Sequence, residues 1–207
     1  MGYTNKNRMS IFSYRVSPVQ ISYLCPTTGS NEIDYLIGDK VLIPNEFQKY
    51  YSEKILYIPN SFMCFDDTKK TSNKYFTRKE FNLPDDAFVM AVFHRSCKIT
   101  IKEIESWSRI LNHIPNSILW ISDTNKIAKD NILKALKKRG VKIDNILFAP
   151  RMKSYGEHLS RHSCADLFLD TFNFNANSTA SLLTTLVTKD VNTSSTDSTS
   201  LLLMNEL

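Results

Sequence analysis

The sequence predicts an α/β protein: a parallel sheet covered by helices over about residues 71–190, a smaller partial lobe over 1–70, and a tail over 191–207. Three observations carry this. From Tyr75 onward, short apolar runs alternate four times with amphipathic segments, and the connections are short, as in βαβ units. The apolar runs are continuous rather than alternating, which suits strands buried on both faces. Finally, Leu167-Phe168-Leu169 ends at Asp170. A polar loop with Asn173, Asn175, Asn177, Ser178 and Thr179 follows, and then a new apolar run from Leu182 to Val187.

In the first lobe, Val19–Leu24, Ile33–Ile37 and Ile55–Ile58 are compact apolar runs and read as strands, with a short helix over Asn45–Lys54. Cys64–Lys74 is polar and reads as a linker. This lobe is expected to expose apolar edges and an unpaired strand.

In the larger lobe, Thr77 and Glu80 have the spacing of a capping box before a short helix, and Ala87–Phe93 reads as a buried strand. Thr100 and Glu103 repeat the box ahead of a helix with Ile101, Ile104, Ile110 or Leu111, and Ile114 near one face. Pro115-Asn116 stops that helix, and Ser117–Ser122 is the next strand. Lys126–Arg139 is an amphipathic helix with Ile127, Ile132, Leu133 and Leu136 inward, closed by Gly140. Asn145–Ala149 is a strand, Tyr155–Cys164 a helix and Leu167–Asp170 the last strand. Ligands in such folds bind beyond the carboxyl ends of the strands, which brings the loops after Phe93, Ala149 and Asp170 to one edge.

Composition is that of an ordinary globular protein: 207 residues, 42% hydrophobic and 23% charged, with a net charge of +5. That excess suits an anionic ligand; a nucleic-acid binder would rest on charge alone. The densest basic cluster, Lys134, Lys137, Lys138 and Arg139, falls at a helix C-terminus and reads as a solvated face. Four scattered cysteines without a C-x-x-C favour a reducing, cytoplasmic compartment. No apolar stretch approaches the ~18 residues of a membrane span, and MGYTNKNRMS is not a signal peptide.

Strand, polar loop and helix start form an arrangement that can hold an anion, because the first N–H groups of a helix lack partners and carry partial positive charge. The same stretch also reads as an Asn/Ser/Thr N-cap, and taken alone it favours that reading. His94-Arg95-Ser96-Cys97-Lys98 follows the first buried strand, so the Lys98 ammonium can reach a diphosphate; the alternative is a surface lysine. After the third strand, Lys153 or Arg151 can reach a ribose or phosphate. His158 and His162 share a helix face, but H-E-x-x-H is absent, and Asp166 and Asp170 are not a D-x-D pair, so no metal site is expected. G-x-S-x-G and G-x-G-x-x-G are absent too, which disfavours a serine hydrolase and a dinucleotide oxidoreductase.

Ordered matches then accumulate. Arg15-Val-Ser-Pro18-Val-Gln20, Leu24, Pro26-Thr-Thr-Gly-Ser30 and Asp34-Tyr35 follow an R-x-x-P-x-Q…L-G-Y-P-G-T-x-G…D-Y pattern. Tyr51-Ser-Glu-Lys54 with Tyr57 and Pro59, Leu83-Pro-Asp-Asp86, Phe93 to Lys98-Ile99, Trp107 with Arg109-Ile-Leu111 and Pro115 to Trp120 continue it. Phe148-Ala-Pro150, Glu157-His158 and Ala165 to Thr171 complete it. Together they resemble the protein O-GlcNAc transferases, GT-B glycosyltransferases of the SPINDLY and O-linked N-acetylglucosamine transferase type, over roughly Gly2 to Ser181.

The resemblance implies a GT-B-like fold with a Rossmann-type lobe, UDP-N-acetylglucosamine (UDP-GlcNAc) as donor, no metal and no other cofactor, and transfer to Ser or Thr hydroxyls of protein acceptors. It implies that Lys98 is the diphosphate lysine and the catalytic residue. His158 and Arg161 fall where the family contacts the nucleotide, and Asn177, Ser178 and Thr179 in the family's N-G-H-T-T loop; Arg95 and Lys153 are added as candidate nucleotide contacts by their position after the strands. Leu24 and Pro26 belong to the sugar-pocket segment and Thr4 to its border. Neither nucleic acid nor membrane is an expected partner. An upstream lobe portion and TPR repeats, which gather protein substrates in the family, are expected to be missing. The chain departs from the pattern at Leu24-Cys25-Pro26-Thr27, which is two residues short, at Asn177 in place of histidine, and at Leu182 in place of an aspartate. A non-catalytic UDP-sugar-binding remnant or interaction module is the alternative function, and UDP binding is expected to outlast transfer.

Overall fold

The computed structural model describes residues 8–23, 26–60, 62 and 74–173. It divides into two compact units, Met1–Cys64 and Phe65–Leu207.

The first unit holds a three-stranded parallel sheet in the order β1 (Ile21–Ser22), β2 (Tyr35–Gly38), β3 (Lys54–Tyr57). Among the described residues of the expected Val19–Leu24 strand, Ile21 and Ser22 pair, and the segment expected as a helix over Asn45–Lys54 is a 3-10 helix over Asn45–Tyr50. That segment guards an edge: the Gln48 amide donates to the Glu53 carbonyl (2.9 Å) and accepts from the Ile55 N–H (3.1 Å), mimicking a neighbouring strand. Val41, Leu42, Phe47 and Tyr50 are exposed nearby in this unit.

Two polar clasps hold the unit. Arg15 donates to Asp34 Oδ1 (3.1 Å) and to the carbonyls of Glu32 and Pro18, while the Gln20 N–H donates to Asp34 Oδ2 (2.8 Å). The Gln20 amide reaches the carbonyls of Phe12 and Glu32. In the second clasp, the buried Glu53 carboxylate accepts from the Thr28 N–H (2.6 Å), the Thr27 hydroxyl (2.7 Å) and the Thr28 hydroxyl. Burial pushes the Glu53 pKa up, but these donors outweigh it and hold the group ionised.

The second unit is built on four parallel strands in the order β6-β5-β4-β7: β4 (Phe88–Val92), β5 (Ser117–Ser122), β6 (Ile146–Ala149) and β7 (Leu167–Phe168). The expected parallel pairing of the Ala87–Phe93 and Ser117–Ser122 segments is observed, with Met90 opposite Leu119. One face packs against α1 (Ile101–His113) and α2 (Lys126–Lys137), through Met90, Val92, Ile104, Trp107, Leu119 and Leu136 among others. The other face buries Val89, Ala91, Phe93 and Trp120 under Phe76, Phe81, Leu83 and Cys164.

The inward faces differ from expectation in three places. Ile101 opens α1 and Ile114 follows it, and both are exposed; the buried stripe is Ile104, Trp107, Ser108 and Leu111. Ile127 is exposed as well, because only Ile132 and Leu136 of α2 turn fully inward. The expected helix Tyr155–Cys164 is α3 (Tyr155–Ser160) followed by a 3-10 turn, Arg161–Cys164. The His162 ring explains the tightening: its Nδ1 bonds the carbonyls of His158 (2.8 Å) and Leu159 (3.1 Å), as local side-chain bonds compete with the helical ladder. Thr77 and Thr100 cap as expected, and Gly140 takes a φ of +81°. Among the described residues, no helix is long and apolar enough to cross a membrane.

Candidate functional site

The chain runs from β4 outward through β5 to β6, then returns to place β7 on the other side of β4. Strand order therefore reverses between β4 and β7. In open α/β sheets, ligands bind beyond the carboxyl ends of the strands at such a reversal. Here the loop after β4 meets the loop after β7.

His94 leaves β4 and is buried. Its Nε2 lies 3.0 Å from the Leu169 carbonyl and 3.4 Å from Asp170 Oδ1. Both neighbours are acceptors, so Nε2 carries the proton. Burial lowers the pKa of this ring against the opposing pull of Leu169 and Asp170, so the imidazole is neutral near pH 7. Lys98 closes the 3-10 turn Ser96–Lys98 and is half-buried. Burial lowers its pKa, the Asp170 charge raises it, and the Arg95 charge lowers it. The result is a partly desolvated ammonium beside a carboxylate at the sheet edge. Arg95 precedes the turn and is exposed, and its carbonyl accepts the Lys98 N–H (2.9 Å). Ser96 meets the hydroxyl of Thr124, from the loop after β5, at 3.0 Å.

Behind this loop, the capping box of α1 is complete. Glu103 Oε2 accepts the Thr100 N–H (2.7 Å) and hydroxyl, and Oε1 accepts the Phe172 N–H (2.8 Å). The N–H and hydroxyl of Thr100 are therefore engaged by the chain's own carboxylate, and the loop after β4 offers two cations, the exposed Arg95 and the half-buried Lys98.

The opposite face of the same edge is aromatic. The Arg161 guanidinium lies 4.1 Å from the Phe93 ring centroid and donates to the Pro150 carbonyl (2.6 Å). Its pKa is lowered by burial to about 10, so it stays charged. His162 packs edge-on to Phe93 (4.8 Å) and to His158 (4.9 Å). Its Nδ1 faces two carbonyls and so carries the proton, leaving Nε2 buried without a hydrogen bond. Burial and the neighbouring His158 and Arg161 push its pKa down to about 3. His158 is half-buried, and burial followed by the Arg161 charge brings its pKa to about 4. It offers a flat neutral ring, which suits an uncharged heteroaromatic group.

Of the residues singled out in the sequence, Arg95, Lys98, His158 and Arg161 gather at the carboxyl edge. Lys153 is exposed on the loop after β6, its N–H bonded to Glu157 (3.2 Å). Pro26 lies exposed in the first unit. Thr4, Leu24, Asn177, Ser178 and Thr179 lie outside the described residues. The sequence shows Glu103 as a helix cap and Asp170 as a strand end that makes no D-x-D pair; their partners, Phe172 and His94, lie about 70 residues away in the chain. Among the described residues, no three His, Cys, Asp or Glu side chains come together as a metal cluster.

The family model for glycosyl transferase family 41 matches residues 1–74 and 69–193. The probable UDP-N-acetylglucosamine–peptide N-acetylglucosaminyltransferase SEC of Arabidopsis thaliana is 33% identical over 178 residues, covering 82% of this chain and 18% of its own. The corresponding SPINDLY protein of Solanum lycopersicum is 27% identical over 186 residues, covering 83% and 19%. A solved structure of a mutant O-GlcNAc transferase from Thermobaculum terrenum superposes with a TM-score of 0.70 at 26% identity, over 83% of this chain and 32% of that one. The chain thus spans about a fifth of the length of the curated relatives it matches.

Proposed function

This chain belongs to glycosyl transferase family 41, and from that premise we propose that it carries the donor-binding region of a protein O-GlcNAc transferase. The observation that carries the reading is the pairing of a match along most of the chain with a half-buried Lys98 at the strand-order reversal. In this reading UDP-GlcNAc lies across the carboxyl edge of β4 and β7, with its diphosphate toward Lys98 and its base toward the neutral ring of His158. Arg161 supports that ring's surroundings through Pro150 and Phe93.

The transfer needs no redox partner. A Ser or Thr hydroxyl oxygen of an acceptor protein attacks the anomeric carbon, the bond from that carbon to the diphosphate oxygen breaks, and the hydroxyl proton passes to the departing diphosphate or to water. Negative charge grows on the departing diphosphate, and an ammonium held in a partly desolvated site stabilises it more than a solvated one would. Lys98 thereby supplies positive charge to the leaving group; the metal-free reading itself rests on the family resemblance and on the lack of a D-x-D pair at Asp166 and Asp170.

Calorimetric titration with UDP and turnover of labelled UDP-GlcNAc on a protein acceptor test the proposal. Lys98→Ala should weaken UDP binding roughly ten- to a hundredfold, the loss expected for a hydrogen bond to a charged group. Lys137→Ala, on the exposed end of α2, should leave it unchanged. Equal effects of the two substitutions would refute the site. UDP binding without transfer would identify the chain as the non-catalytic UDP-sugar-binding alternative.

A further inference from the structure

We propose that Glu103 is a positioning residue of this donor site, tying the loop after β7 to the start of α1 so that Lys98 and Asp170 are held together at the strand-order reversal. The inference rests on the UDP-sugar reading above. Among the described residues, three capping boxes occur, completed by Glu80, Glu103 and Glu157. Glu80 and Glu157 are at least partly open to solvent, and their bonds stay local: Glu80 with Thr77 and Lys74, Glu157 with Lys153 and Ser154. Glu103 differs on both counts. It is fully buried, and its second oxygen accepts the N–H of Phe172, 69 positions along the chain.

Burying a carboxylate is costly unless donors surround it. Burial raises the pKa of Glu103, but the Thr100 hydroxyl and the N–H groups of Phe172 and Thr100 outweigh it, so the group is an anion. A helix cap alone needs neither burial nor a distant partner. What the arrangement accomplishes is geometric. Lys98 lies just before Thr100, and Asp170 just before Phe172. Glu103 bridges Thr100 and Phe172, while His94 bridges the same two loops through Leu169 and Asp170. Both bridges join the loop that carries Lys98 to the loop that carries Asp170, and the Asp170 charge reaches Lys98.

The substitution Glu103→Gln tests this in the full chain. An amide keeps the shape but presents an NH2 to one of the two N–H donors, so it can satisfy only one loop at a time. We expect E103Q to bind UDP roughly tenfold more weakly, as for loss of one hydrogen bond to a carboxylate. Uridine, which has no phosphate, should bind within about twofold of wild type; general destabilisation would weaken both ligands alike. Wild-type affinity for UDP in E103Q, with Lys98→Ala still impaired, refutes the positioning role and leaves the donor site standing. Failure of the wild-type chain to bind UDP removes the donor reading and the inference with it.

A second measurement does not depend on the variant folding. If the bridge favours UDP, linkage requires UDP to favour the bridge. Amide hydrogen exchange at Phe172 should therefore slow in the wild-type chain on adding saturating UDP, and unchanged exchange there would overturn the proposal.

Discussion

Replacing Arg78 by alanine should destabilise the second unit by about 3 kcal/mol. The side chain sits in the 3-10 turn ahead of β4 and ties it to the turn ahead of β7. Its Nη2 lies 2.6 Å from Asp166 Oδ2, its Nε donates to the Cys164 carbonyl (3.2 Å), and its Nη1 donates to the carbonyls of Asp85 (2.9 Å) and Ala87 (2.8 Å). Hydrogen bonds to charged groups are worth about 1.5–3 kcal/mol each, and they do not simply add. Two features hold the total near the low end of the range for breaking a buried pair. Asp166 is 35% exposed and can recover water, and it keeps the Val89 N–H at 2.7 Å. Both tryptophans of the chain, Trp107 and Trp120, are buried in this unit, so urea unfolding followed by their fluorescence reads the loss directly. Arg78→Lys should fall between the two, since an ammonium keeps the charge but not the fork. Arg139→Ala is the comparison: its partner Glu105 is 57% exposed, and exposed pairs contribute about 1 kcal/mol or less. If Arg78→Ala costs no more than Arg139→Ala, the clamp does not hold the two turns together.

The second unit should also lose stability on mild acidification. His158 and His162 have folded pKa values of about 4 and about 3, against about 6.5 in the unfolded chain. Below about pH 6.5 the unfolded state takes up protons that the folded state refuses, so stability falls by up to about 1.4 kcal/mol per histidine per pH unit. Urea midpoints at pH 7 and pH 5 measure this, with a smaller drop expected for His158→Gln; equal wild-type midpoints would contradict it. Gly140→Ala should cost about 1 kcal/mol in the same assay, because its φ of +81° lies where a Cβ is disfavoured; an unchanged midpoint would mean that the end of α2 relaxes freely.

Much of the second unit was legible because its signals are local. Continuous apolar runs mark β4, β5 and β6, and Thr77, Thr100 and Gly140 mark helix ends through residues adjacent in sequence. Lys98 was legible for the same reason: it follows a buried strand at its carboxyl end. Long-range features left no local trace. Nothing within Leu167–Asp170 says that β7 returns beside β4, and the pairings of His94 with Leu169 and Glu103 with Phe172 exist only once it does. The helix faces were misjudged at Ile101, Ile114 and Ile127 because all three lie at or beyond the first or last turn, where periodicity no longer dictates burial. The tightening after α3 depends on a side chain, His162, competing for main-chain carbonyls, which hydrophobic pattern does not encode.

The first unit shows what its family pattern specifies physically. Arg15, Pro18, Gln20 and Asp34 occupy matched positions and are one another's hydrogen-bond partners. Thr27, Thr28 and Glu53, also matched, form the second clasp. Each clasp pairs a segment before or after the shortened Leu24–Thr27 stretch with a residue from β2's entry or β3's entry. On the resemblance, the two residues by which this segment is short fall between Gln20 and Thr27, each held by hydrogen bonds of its clasp. The sheet register around this segment is regular: Ile21 pairs with Tyr35 and Leu36 with Ile55. The resemblance assigns that connecting segment to the sugar pocket, whereas Lys98 stands in the other unit, on a separate set of contacts. The departures from the family pattern thus fall at this segment of the first unit and at Asn177 and Leu182, which lie outside the described residues. Neither the clasps of the first unit nor Lys98 is among them, so on the proposed reading UDP binding and sugar transfer should be assayed separately.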